Sequence, residues 1–548
     1  MIKDWLKKNS KSVLIFSILI VAVIIEWSIH AFYNLHVRKG YALQTPSIAP
    51  SEFFYVLNII LYTAAAFIIF IAYRVHKTWL GKSSNYRAAV IVVFITAILL
   101  MTGLCIVNYE SNDDQFQAIR IILNEGRLPT LKDGIHCHHP KLYHAAAAGI
   151  LKVLAINSPR GQIMAAQFLN CIAGILTIYI AWVFLNRRPL QDKIKFICFS
   201  IIALNPKLIG LSSHAGYNSF VILFATAALY FAYRFFNETT LKNFSGLTIS
   251  AIFAALSKCN GLVLFIGILL VFALKLLVYS KISLSPRKSY LKYLAIFLIS
   301  FFAIVPICGQ YWNTYKLYGN PFKLNIEKDP FPEFFQKTYP NNVRPGVTSI
   351  ADAYFTFRFY YLIKYPVITN DTDNYPIHRT SLWSQLYGRA HFIYFDMWPM
   401  SWQTGNPVIL NIGRAILILA LLPSFFLITA IMKEASIWLA AVYNRSFSFI
   451  AETSEWIFAI FLAGYIFSMI WFSLHYRDFA SMKAVYIFPA FLSAIYLLSQ
   501  GIDYIYKLNE KNTRLILLFD LIFALLFSLY CITIVSLIIK LSGQFAIG

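Results

Sequence analysis

Apolar runs of about 20 residues recur almost from end to end of this sequence, and each is long enough to cross a ~30 Å hydrocarbon core. Inside lipid every backbone N–H and C=O must be satisfied within its own segment, so such runs fold as helices. They fall near 12–30, 53–73, 88–107, 160–185, 196–213, 217–235, 246–257, 261–280, 291–310, 408–432, 456–474, 484–499 and 515–540, thirteen in all. The expected fold class is therefore an all-α polytopic membrane protein. Composition agrees: 59% of residues are hydrophobic and 13% charged, far more apolar than the roughly 45–50% of soluble domains.

The net charge of +23 is compatible with nucleic acid, anionic lipid or a membrane topology bias, and position decides among them. Lys and Arg gather in short loops between spans, such as "RVHKTWLGKSSNYR", "NRRPLQDKIK" and "KISLSPRKSYLK". That is the cytoplasmic bias of a membrane protein, which excludes nucleic-acid binding. It also places the N-terminus in the cytoplasm, with "SVLIFSILIVAVIIEWSIH" as a retained first span, and leaves 108–159 and 311–407 outside. The chain divides into an N-terminal transmembrane hairpin (1–87), a transmembrane core with its first outer loop (88–310), a large outer loop (311–407) and C-terminal transmembrane helices (408–548). The outer loop is dense in Tyr, Phe, Trp and Pro, which predicts a folded, membrane-leaning lid. The seven cysteines are odd in number, and Cys105, Cys171, Cys198, Cys259, Cys308 and Cys531 lie in or beside apolar runs, so no disulfide framework is indicated.

The polar chemistry is concentrated in "NYESNDDQFQAIRIILNEGRLPTLKDGIHCHHPKLYH", residues 108–144, directly after an outward-going span. Asp113 and Asp114 precede a helical pattern in which Phe116, Ile119 and Leu123 share a face. Acids at a helix N-terminus can simply cap it. Adjacent carboxylates at membrane depth also raise one another's pKa toward that of a useful base. His136, His138, His139 and His144 crowd nearby, but their spacing lacks the paired pattern of zinc sites, so no metal site is assigned; no cofactor is expected, although a divalent metal stays open.

Asn112, "DDQFQ", "EGRLP" and "HHPKLYH" together resemble the first extracytoplasmic loop of the GT-C glycosyltransferases, in the branch of the protein O-mannosyltransferases and the lipid A aminoarabinose transferase. That branch carries an acidic pair after a span, a Gly-x-x-Pro turn and a Pro-Leu-Tyr segment, matched here by Asp113 with Asp114, Gly126 with Pro129, and Pro140 with Leu142 and Tyr143. "ALNPKLIGLSSHAGYNSF", "LSKCNGLVLF" and "HYRDFASMKAVYIFPAFLSAIY" are weaker matches, and the likeness extends over roughly 85–500. Asp114 stands where Glu is common and Lys141 where a second proline is usual, departures that bear on the acceptor side.

The resemblance implies a GT-C-like bundle with juxtamembrane helices, acting as an inverting glycosyltransferase of the hexosyl or pentosyl kind. Such an enzyme moves a sugar from a polyprenyl-phosphate donor to a glycan, lipid or protein acceptor outside the plasma membrane. Asp113 would be the base, with Asp114 capping the following helix or orienting the acceptor. Because a lipid phosphate is already a competent leaving group, cations matter more than an acid: Arg477, Lys483 and Lys258, with His139, are the candidate phosphate ligands. Lys141, Tyr143, His214 and Asn218 are candidate substrate contacts. Two other classes stay open: a polysaccharide polymerase or O-antigen ligase, favoured by the long outer loop, and a lipid-linked sugar transporter, disfavoured because the acids lie in an outer loop rather than at the midplane.

Overall fold

The computed structural model describes residues 50–78, 83–108, 115–130, 132–133, 137, 139–279, 284–323, 349–367, 381–395, 400–447, 449–450, 453–475 and 482–547. Among these the protein is helical throughout, without strands. Among the described residues nine helices are long and apolar enough to cross a membrane, or ten if the bent pair Asp192–Ala203 and Pro206–Ser212 counts as one span, which establishes a multi-pass membrane protein. The expected span 12–30 lies outside the described residues.

The helices that frame the site are α1 (Pro50–Thr78), α2 (Ser84–Val107), the short α3 (Gln115–Glu125) and α4 (Leu142–Val153), α5 (Pro159–Asn186), and the pair α6 (Asp192–Ala203) and α7 (Pro206–Ser212). They continue as α8 (Asn218–Asn237), α9 (Leu241–Ser257), α10 (Gly261–Tyr279) and α11 (Leu284–Cys308). The outer segment carries α12 (Tyr311–Tyr318), α13 (Ile350–Tyr354), α14 (Phe359–Lys364) and α15 (Leu382–His391). The chain then returns through α16 (Pro407–Leu419), α17 (Leu421–Tyr443), α18 (Ile457–His475), α19 (Phe491–Leu508) and α20 (Thr513–Ile547).

Four spans differ from the hydropathy reading; one of them, 408–432, is divided at Ala420 between α16 and α17, and α17 runs on to Tyr443. The run 196–213 is broken between α6 and α7 and bent by 48°, because Asn205 turns its side chain back to accept from the Leu208 N–H (3.0 Å) while Pro206, at the first helical position, offers no N–H of its own. The run 246–257 belongs to α9, a 17-residue helix started by the Thr240 hydroxyl, which accepts from the Asn243 N–H (3.3 Å). The run 484–499 opens with two 3-10 turns, Ala484–Tyr486 and Phe488–Ala490, before α19 begins. Phe116 and Ile119 of α3 are buried as their spacing predicts, with Leu123 packed beside the core.

Helix α5 is the central post. Its 28 residues rise about 42 Å, and it packs against α2, α7 and α8. Gly174 lets α7 come this close: a Cβ there would stand 2.2 Å from Ser212 Oγ. At one end of the bundle the Arg188 guanidinium is buried against the Glu455 carboxylate and donates to Tyr233 Oη (3.0 Å), while Lys275 Nζ donates to the Thr453 carbonyl (3.2 Å). The opposite end holds Asn108 after α2, Gln115 at the start of α3, and the loops between α7 and α8 and between α9 and α10, and here most of the described candidate residues gather.

Candidate functional site

The site is built around the short connection from α7 to α8. Asn170, on α5, donates from its side-chain amide to the carbonyls of His214 and Gly216, the latter at 2.6 Å, so a buried polar group of the central post sets the path of residues 213–217. Gly216 leaves room for Gln115: a Cβ there would meet Gln115 Oε1 at 2.4 Å, and the same oxygen accepts from the Tyr217 N–H (3.2 Å). Asn108, immediately after α2, donates to the Ser213 carbonyl (3.3 Å) and lies 3.4 Å from His214 Nδ1. Arg160 in the first turn of α5 donates to the carbonyls of Asn108 (3.0 Å) and Ile106 (2.7 Å). Both residues that bound the acidic segment, Asn108 and Gln115, are therefore held against one loop.

Tyr217 is the hub. Its ring meets His139 edge-on at 4.6 Å and His144 at 5.9 Å, and it offers its face to the Lys258 ammonium at 4.9 Å. Lys258 follows the last turn of α9, is only 3% exposed, and donates to Asn218 Oδ1 (2.8 Å) at the start of α8. Tyr486 covers it from the other side at 4.7 Å, and that tyrosine's 3-10 turn begins at Lys483, whose carbonyl accepts from the Tyr486 N–H (3.1 Å). Burying an ammonium against two aromatic rings carries a desolvation cost, and a buried positive charge binds an anion far more strongly than an exposed one does.

Lys141 is also buried, at 2% exposure, and loss of hydration pushes its ammonium down to about 8. Tyr143 is wholly buried; its hydroxyl donates to the Ala166 carbonyl (3.0 Å) and its ring packs edge-on to Phe220, which makes it a strut between α4 and α5. His214 is buried against Trp402, ring centroids 4.4 Å apart.

Of the candidates named from sequence, Lys258, Asn218, His139 and His214 converge on the Tyr217 loop, and Lys483 enters through the turn that carries Tyr486. Asp113, Asp114 and Arg477 lie outside the described residues, as do His136 and His138. Among the described residues no group of three or more His, Cys, Asp or Glu could hold a metal.

Sequence reasoning missed Tyr217, Tyr486, Trp402 and Arg389. Tyr217 and Tyr486 sit inside two of the weaker motif matches, "SSHAGYNSF" and "MKAVYIF", but a tyrosine gives no signal until a cation is found over its ring. Arg389 of α15 is fully buried and donates to the Met482 carbonyl (3.3 Å), pinning the start of the Lys483 turn to the outer segment.

Residues 154–316 match the dolichyl-phosphate-mannose-protein mannosyltransferase family. That family belongs to the branch the sequence resembles, and the matched stretch runs from the end of α4 into α12, so it contains His214, Tyr217, Asn218 and Lys258. It covers under a third of the chain. No curated protein matches the chain in sequence.

Among solved structures the chain is similar to the oligosaccharyltransferase of Archaeoglobus fulgidus in complex with zinc and sulfate (15% identity over 81% of this chain and 53% of that one, TM-score 0.44). It is also similar to the same organism's AglB in complex with an inhibitory peptide and a dolichol-phosphate (15% identity, 85% and 56%, TM-score 0.41). A third similarity is to ArnT from Cupriavidus metallidurans bound to undecaprenyl phosphate (13% identity, 76% of each chain, TM-score 0.31). The chain spans about half the length of the oligosaccharyltransferases it is similar to.

Proposed function

We propose that the protein is a membrane glycosyltransferase that moves a sugar from a polyprenyl-phosphate donor to a hydroxyl-bearing acceptor, at the extracytoplasmic face of the plasma membrane and with inversion at the anomeric carbon. The observation that carries this reading is the convergence at one bundle end of a buried cation, Lys258 between Tyr217 and Tyr486, with Asn108 and Gln115, the residues that bound the acidic segment. The matched family and the solved relatives whose names include dolichol-phosphate or undecaprenyl phosphate support the choice of donor.

In this reading Asp113 accepts the proton of the acceptor hydroxyl as its oxygen attacks the anomeric carbon. The bond from that carbon to the phosphate oxygen breaks and the lipid phosphate departs with the electron pair. Lys258, aided by Lys483, Arg477 and His139, balances the phosphate's charge, which is present in the bound donor and grows as the bond breaks. Asn218 holds the Lys258 ammonium in place. Lys141 reaches the sugar or acceptor, and Asp114 orients the acceptor. Which sugar and acceptor are taken is set by the shape of the site.

The test pairs donor binding with transfer for wild type and Asp113→Asn, using radiolabelled polyprenyl-phosphate hexoses and pentoses. Transfer should fall by roughly 10²–10⁴-fold while binding persists. Wild-type transfer by the variant would remove Asp113 as the base, and failure of the wild-type protein to bind any such donor would remove the function.

A further inference from the structure

Trp402 occupies a position that neither the sequence motifs nor the proposed chemistry accounts for. It ends the 3-10 turn Met400–Trp402 of the outer segment, is 5% exposed, and lays its ring on that of His214 with an interplanar angle of 30°. It also closes on Gly210 of α7, where a Cβ would stand 3.1 Å from the indole. Its Nε1 is buried without an acceptor among the described residues, so the indole is seated for its ring contacts rather than for a hydrogen bond. The turn is anchored from elsewhere: Lys540, near the end of α20, donates to the Ser401 carbonyl (2.8 Å) and to the Gln403 carbonyl. Helix α20 in turn lies along α2 and touches α7.

We propose that residues 401–403, anchored by Lys540 and seated on His214 through Trp402, form a positioning clamp for the 213–218 loop. That loop presents Tyr217 and Asn218 to Lys258 and receives Asn108 at Ser213 and His214. Trp402 touches neither Asn108 nor Lys258 in any described contact; it acts through His214 and is a positioning residue. The catalytic part of this inference rests on the glycosyltransferase reading, whereas the mechanical part does not.

The stacked pair has two supports on opposite sides. Asn170 of α5 holds the backbone of the loop from within the bundle, and Trp402 holds the His214 ring from the outer segment. Removing the indole leaves the backbone anchor intact and takes away the support of the imidazole on the side of the outer segment. The loop then keeps its course but loses its register against Lys258, and misplacing reacting groups by about 1 Å costs roughly 100-fold in rate.

The experiment uses the full chain in lipid nanodiscs and compares Trp402→Ala, Trp402→Phe, Lys540→Met and Lys540→Arg. Hydrogen exchange is followed across 213–219, and donor affinity and kcat are measured alongside. Trp402→Ala and Lys540→Met should each speed exchange of 217–219 about tenfold, lower kcat roughly 100-fold and weaken donor Kd in parallel, because the displaced loop also holds Lys258. Trp402→Phe and Lys540→Arg should restore most of all three. In a His214→Ala background, Trp402→Ala should add little further loss, because its ring partner is already gone; His214→Ala also removes the Asn108 contact.

Unchanged exchange in 217–219 for both Trp402→Ala and Lys540→Met would overturn the clamp, as would a Trp402→Ala effect that persists in full in the His214→Ala background. A uniform loss of protection across the bundle, without rescue by the conservative variants, would also overturn it, since that is the mark of a merely structural tie. If the wild-type protein transfers no sugar, the functional reading fails by itself, and the exchange pattern still decides whether the clamp exists.

Discussion

Replacing Lys258 with Met separates binding from stability at the centre of the site. The substitution keeps an unbranched side chain of similar reach between the faces of Tyr217 and Tyr486, but removes the ammonium that lies 4.9 and 4.7 Å from their ring centroids and its hydrogen bond of 2.8 Å to Asn218 Oδ1. Two effects on stability oppose each other. The fold no longer has to desolvate a charge that is 3% exposed, while Asn218 Oδ1 loses its donor, at about 1–3 kcal/mol for a buried group.

Stability should therefore move by no more than about 2 kcal/mol in either direction, the residue of two terms of similar size. Binding has no such cancellation. Loss of a buried cation from a phosphate contact costs about 2–5 kcal/mol, the middle of that range being about 3.5 kcal/mol, which weakens donor Kd by roughly 400-fold. The assay is thermal unfolding in detergent together with titration by a polyprenyl-phosphate sugar. Lys258→Met with Asn218→Leu should recover the stability lost through Asn218 and none of the affinity. A Lys258→Met protein that binds donor as tightly as wild type would refute the phosphate assignment and leave Lys258 as a tie between α8 and α9.

Lys141 makes stability depend on alkaline pH. Burial holds its folded value at about 8 against the ordinary 10.5, so the unfolded chain binds that proton more tightly; stability should climb by about 3 kcal/mol as pH rises through this window and stay flat below it. Thermal unfolding from pH 7 to 10.5 should show the rise in wild type and lose it in Lys141→Met, and a rise of equal size in the variant would assign the effect to another group. At the other end of the bundle, Arg188→Met removes the partner of the half-exposed Glu455 and should destabilise by about 2 kcal/mol without altering donor Kd. A matching loss of donor affinity would show that the two bundle ends are coupled.

Hydropathy made the bundle legible because lipid imposes one rule on every crossing, and most spans read from sequence coincide with described helices within a few residues. It failed where helices break for local reasons. Asn205 and Pro206 interrupt an apolar run without changing its hydropathy, and Phe488-Pro489 delays the start of α19 in the same way.

The site was legible only where charge is scarce. Lys258 stood out as a lysine between apolar runs, and His214 and Asn218 through a motif, whereas their arrangement depends on contacts between residues 40 to about 230 positions apart in the chain. Tyr217 and Trp402 were invisible for that reason. Nothing in "GYNS" or "MSWQ" distinguishes an aromatic that shields a cation or seats a histidine from one that fills the core. Tyr143 shows the converse: it lies within a motif match, yet its hydroxyl is committed to the Ala166 carbonyl.

The most direct measurement is a cryo-electron microscopy structure of the protein with a polyprenyl phosphate bound. A phosphate oxygen should lie about 3 Å from Lys258 Nζ, with the lipid chain leaving the bundle at the end that holds the Tyr217 loop. Density for the lipid phosphate at the far end of the bundle, beside Arg188 and Lys275, with the Tyr217 loop and Lys258 untouched by ligand, would contradict the account.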